Sequence, residues 1–139
     1  MTERIGKWDV FEVRFDGPCS GNPFKDVELL AEFSKGNRTQ RVAGFYDGDG
    51  TYVVRFMPDS EGAWTFRTQS ATAVLDGRQG RFECVAPSAA NHGPVTVERH
   101  HHFRYADGSF YSCIGTTCYA WIHHGEEMAR QTLSSLEAS

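Results

Sequence analysis

With 139 residues the chain can hold one domain, or one domain and a piece of another. Its 14 basic and 18 acidic residues are interspersed and sum to −4, so no basic stripe is available to displace counterions from a phosphate backbone, and nucleic acid is not an expected partner. No stretch approaches the roughly 18 to 20 apolar residues of a membrane-spanning helix, and the opening MTERIGKWDVFEV lacks the apolar segment of a secretory signal, so a cytoplasmic protein with no membrane partner is expected.

Aromatic residues reach 13% and glycines number 14, which suits pleated, half-buried sheets joined by turns. In WDVFEVRF (8–15), Phe11, Val13 and Phe15 share one face and Glu12 and Arg14 the other, the period of a half-buried strand. GPCSGNPF (17–24) is a loop by its density of Gly, Pro, Ser and Asn. Val27, Leu29, Ala31 and Phe33 mark a second strand, and Lys35-Gly36-Asn37 turns the chain into a third around 38–45. DGDG (47–50) is a turn signal, followed by a fourth strand over 51–57 with Tyr52, Val54 and Phe56 aligned. Beyond the break at 58–62, AWTFRTQS sets Trp64, Phe66 and Thr68 on one face, and RFECV (81–85) closes the series. Short alternating strands between regular turns predict an all-β fold, an Ig-like or fibronectin-like antiparallel β-sandwich over residues 1–86.

The composition changes at APSAANHGP (86–94), and a linker is expected across 87–96. Beyond it, Asp107-Gly108 between two aromatic-rich runs predicts a hairpin. FYSCIGTTCYAWI (110–122) is apolar on both faces, the pattern of a strand covered on both sides as in a parallel sheet. GEEMARQTLSSLEAS predicts a helix, with Glu126 and Glu127 in its first turn and Met128, Ala129, Thr132, Leu133 and Leu136 forming an apolar stripe.

GFYDGDGTYVVRFMPDSEGAWTFRT (44–68), with GPCSGNPF before it and LDGRQGRFECV after it, resembles the β-sandwich domain of unknown function at the N-terminus of bacterial glycoside hydrolases. NHGPV (91–95), FRYADGSFYSCIGTTCYAWIHHGEE (103–127) and the helix that follows are similar to the start of the apiosidase-like (β/α)₈ catalytic domain of the same proteins. The resemblance implies a non-catalytic accessory domain, a linker, and a barrel fragment over 97–139. Its implied role is to pack on and support the barrel in carbohydrate degradation. The implied partners are the remainder of the barrel or another copy of the chain, with oligosaccharide a further candidate. Such a barrel needs roughly 250 residues, with active-site groups drawn from the C-terminal ends of several strands. Glycoside hydrolysis takes two carboxyl groups across one bond, whereas Glu126 and Glu127 are adjacent on a helix and point about 100° apart. The chain by itself is therefore not expected to be an enzyme. Two rival readings are an autonomous carbohydrate-binding module, marked by a row of coplanar aromatics, and a hydrolase in its own right, marked by two carboxylates in one cleft.

The sharpest candidate residues are Tyr119, Trp121 and His123, at the expected C-terminal end of the barrel strand. In the parent enzyme Trp121 would stack on a sugar and His123 would bond a hydroxyl. Trp8 and Trp64 are candidate sugar-stacking residues, set against ordinary packing in the sandwich core. No metal or cofactor is expected: consecutive residues His100, His101 and His102 alternate faces on a strand, and the twelfth position from Asp47 is Pro58, where a calcium loop needs a bidentate Glu. Cys19, Cys84, Cys113 and Cys118 show no paired spacing, which predicts four buried free thiols, Cys118 among them within the apolar strand, with one bridge between facing strands as the alternative.

Overall fold

The computed structural model describes residues 2–115 and 117–138, without the side chain of Ile122. Its chain order is β1 (Glu3–Gly6), β2 (Phe11–Asp16), α1 (Pro23–Asp26), β3 (Leu30–Lys35), β4 (Arg38–Ala43), β5 (Phe45–Gly48), β6 (Thr51–Phe56), β7 (Gly62–Gln69), β8 (Gln79–Val85), β9 (Val95–Glu98), β10 (His102–Tyr105), a 3₁₀ turn (Trp121–His124) and α2 (Glu126–Glu137). A five-stranded sheet, β1-β8-β7-β3-β4, faces a three-stranded one, β2-β6-β5, and β9 and β10 form a separate hairpin. The fold is an all-β sandwich, antiparallel except where β1 runs parallel to β8.

The period-two pattern places the core as expected. Phe11, Tyr52, Val54 and Phe56 from the small sheet meet Ala31, Phe33, Trp64, Phe66, Phe82 and Cys84 from the large one. Two face-to-face ring pairs tie the layers: Phe11 on Phe82 at 4.3 Å and Phe33 on Phe56 at 4.1 Å. Leu75, from the β7–β8 connection, plugs one end, and buried Thr68 donates its hydroxyl to the Leu75 carbonyl at 2.5 Å. That bond matters, because a buried hydroxyl without a partner costs on the order of 1 to 3 kcal/mol.

The structure corrects the expected elements at several points. The expected strand at 38–45 is two strands in different sheets, and Gly44 is the crossing point. A Cβ there would sit 2.8 Å from Leu29 and 2.9 Å from the Val53 carbonyl, so only glycine lets the chain pass. The loop at 17–24 ends in a short helical turn begun by Pro23. β9 and β10 turn at Arg99 and His100, both with positive φ, and Asp107-Gly108 returns the chain to a single bridge between Arg104 and Phe110. No strand forms over the described residues of 110–122, Thr116 lying outside them. A run apolar on both faces needs hydrogen-bonded neighbours on both edges, and beyond that one bridge none is present among the described residues.

Candidate functional site

Where the chain leaves the sandwich, local chemistry fixes its path. At the end of β1 the Lys7 N–H donates to the Val85 carbonyl at 2.8 Å, and the Trp8 N–H donates to the Pro58 carbonyl at 2.8 Å. These bonds hold Trp8 at φ 69°, a conformation a bulky side chain rarely adopts. Asp9 Oδ1 accepts from Asn91 Nδ2 at 2.7 Å, and Asn91 Oδ1 accepts from the Gly93 N–H at 2.9 Å. Gly93, at φ 77°, lies against the Trp8 indole so closely that a Cβ would come within 2.6 Å of a ring carbon. The Lys7 ammonium sits 4.2 Å from the same ring's centroid. The segment expected to be a linker is thus clasped to the N-terminal turn.

The clasp continues into the hairpin. His92 Nδ1 lies 2.7 Å from Asp107 Oδ2, and the Asp107 N–H donates to the His92 carbonyl at 3.2 Å. Asp107 Oδ1 accepts from the Ser109 N–H at 2.8 Å and from its hydroxyl at 2.6 Å. Those two Ser109 bonds, with His92 after them, pull the Asp107 carboxyl down to about 2. Tyr105 packs edge-on to Tyr111 and tilted on His92, so the hairpin carries a small aromatic cluster of its own.

The candidate residues part company here. Trp64 is fully buried, its indole N–H donating to the Ser60 carbonyl at 2.9 Å, so it offers no face to a sugar. Trp8 is half-buried under Gly93 and Lys7. Tyr119 is 92% exposed, Trp121 half-buried at the start of the 3₁₀ turn, and His123 exposed within it. They flank an irregular segment rather than ending a strand. Glu126 and Glu127 are exposed, both within reach of Arg130 at 3.9 and 3.6 Å, as suits helix-start charges. His100 and His101 lie in the β9–β10 turn. Asp47-Gly48-Asp49-Gly50 makes the β5–β6 turn, with positive φ at its last three residues, while Asp47 itself binds Arg14 at 3.0 Å. Of the cysteines only Cys84 is buried, where burial pushes its thiol up; Cys19 and Cys113 are exposed and Cys118 half-buried. The expectation of four buried thiols fails because three of them lie in loops outside the core.

A second carboxylate pair shares an arginine: Glu12 and Asp47 both bind Arg14, at 2.7 and 3.0 Å, and Glu12 also binds Arg55 at 2.7 Å. Those guanidinium groups hold Glu12 below the usual carboxylate range, Arg55 foremost. A general acid of glycoside hydrolysis needs the opposite shift. This lattice lies on the outer face of the small sheet, where the Arg55 guanidinium sits over the Phe45 ring at 5.0 Å. Sequence reasoning missed the clasp, although Asn91 two residues before a glycine was a readable turn signal.

Fold and clasp together define a small all-β module whose exit segment is fixed to it. Residues 4–71, just under half of the chain, match the model of a family described as a domain of unknown function, DUF5060. The chain is similar to the crystal structure of a putative glycoside hydrolase from Bacteroides vulgatus ATCC 8482, with 42% sequence identity and a TM-score of 0.90. That likeness takes in 96% of this chain, tail included, and 26% of the other, so the chain spans about a quarter of that relative's length. No curated protein matches the chain.

Proposed function

We propose that residues 1–86 are the non-catalytic, Ig-like accessory domain of a glycoside hydrolase, and that residues 97–139 open its apiosidase-like (β/α)₈ catalytic domain. The carrying observation is the 42% identity over 96% of this chain to 26% of the Bacteroides vulgatus chain. The apolar tail agrees with it. Phe110, Ile114 and Tyr119 are 84%, 93% and 92% exposed, and Met128, Leu133 and Leu136 of α2 are exposed too. Soluble proteins seldom leave such a surface to water, and a larger catalytic module would cover it. In that setting neighbouring strands would pair with the 110–122 run. Tyr119, Trp121 and His123 would then line the sugar pocket, Trp121 by stacking and His123 by a hydrogen bond. The clasp would set the direction in which the sandwich supports the barrel.

Two measurements test this. The chain alone, incubated at high concentration with aryl glycosides, apiosides and rhamnosides included, should give background release; turnover that vanishes in E126Q or E127Q would overturn the reading. Deleting the matched sandwich from the Bacteroides vulgatus relative should lower the melting temperature of the remainder by several degrees. An unchanged melting temperature would exclude a supporting role.

A further inference from the structure

We propose that the outer face of the five-stranded sheet binds the anionic group, carboxylate or sulfate ester, of an acidic glycan through Arg67 and Arg81. The naming of a glycan rests on the carbohydrate reading above; the anion site rests on the sheet itself. β7 and β8 pair with Thr65 opposite Arg81 and Arg67 opposite Gln79, so the two arginines are diagonal neighbours, and all four residues point outward into solvent. Diagonal neighbours on one sheet face stand about 7 to 8 Å apart, within converging reach of two arginine side chains. They border a shallow depression of about 500 Å³ that Ser34, Thr65 and Gln79 also line.

The charge arrangement points to a ligand. Glu32 stands directly opposite Arg67 across β3 and β7, but its carboxylate is turned to Arg41 at 2.9 Å and makes no ion pair with Arg67. Arg14, Arg38 and Arg55 likewise have carboxylate partners, whereas among the described residues Arg67 and Arg81 have none. Two unpaired like charges in diagonal register repel each other. An anion between them reverses the sign, and guanidinium groups bind carboxylate or sulfate oxygens in short, charge-assisted pairs. The hydroxyls of Ser34 and Thr65 and the Gln79 amide supply the mixed donors and acceptors that sugar hydroxyls require.

The test titrates the full chain, by amide chemical shift, with trigalacturonate, a sulfated oligosaccharide, maltotriose and inorganic sulfate. At least one acidic oligosaccharide should bind tenfold or more tightly than maltotriose and more tightly than inorganic sulfate, shifting β7 and β8 amides and weakening with added salt. Whichever acidic arm binds better assigns carboxylate or sulfate. The R67Q/R81Q variant, changed only at exposed positions, should keep the melting temperature and lose that preference. Equal binding of maltotriose, inorganic sulfate as tight as the oligosaccharides, or a preference that survives R67Q/R81Q would overturn the proposal. None of these outcomes touches the deletion experiment in the relative, so the two readings fail separately.

Discussion

Trp8 and Trp64 show how one residue type can serve two ends. Trp64 fills the centre of the core, packed edge-on against Phe56 with ring centroids 5.0 Å apart. Replacing it with alanine leaves a cavity no neighbour can fill, so W64A should cost about 3 to 5 kcal/mol of unfolding free energy, read from the denaturant midpoint. Trp8, held at positive φ, is instead a floor on which the exit segment rests. Asp107 gives the clasp a pH signature. Its carboxyl stands at about 2 in the folded chain against 3.8 unperturbed, so its stabilising contribution is complete above 3.8 and fades as the pH falls toward 2. The Ser109 amide shift should move as the pH falls below about 4, where the Asp107 carboxylate begins to take up its proton. D107N should abolish that transition; a transition that persists in D107N would assign it to another group.

Strands were legible where one face is buried and one wet. Phe11, Val13 and Phe15, or Trp64, Phe66 and Thr68, announce their sheet because each alternates with exposed polar residues. β1 was not legible: ERIG has one apolar residue, and its partner β8 lies far along the chain. Gly44 was not legible either, because 38–45 opens with four polar residues and carries no pattern that marks where the chain changes sheets, and only the approach of Leu29 and Val53 reveals it. The run at 110–122 misled for the opposite reason. Apolar residues on both faces satisfy the pattern of a covered strand, but a pattern cannot supply the cover. Such a segment, with the α2 stripe beside it, should drive self-association of the isolated chain. Light scattering should find the intact chain oligomeric and a version ending near Asn91 monomeric and folded; an intact chain that is monomeric with an ordered tail refutes this.

At the scale of the molecule, the sandwich is complete in itself and the tail is not. Among the described residues every buried side-chain polar atom of the sandwich has a partner, and its outer faces are laid with arginine, carboxylate and hydroxyl groups. The most exposed large apolar side chains among the described residues, Phe110, Ile114 and Tyr119, all lie after residue 109. One feature of the topology bears on how the two parts stay joined. Because β1 runs parallel to β8, their C-terminal ends reach the same rim of the sandwich, where Lys7 bonds Val85 and Asp9 bonds Asn91. Tension applied through the tail therefore runs along β8, across the direction of its ladder bonds to β1 and β7, so that many bonds bear the load at once instead of parting one by one. Loaded in this direction, the sandwich should resist extension better than the clasp does. In single-molecule pulling between Phe11 and the C-terminus, an early low-force release of the clasp should precede a much higher-force rupture of the sandwich. N91A should erase the first event and leave the second; if the sandwich yields at the same force as the clasp, that expectation is wrong.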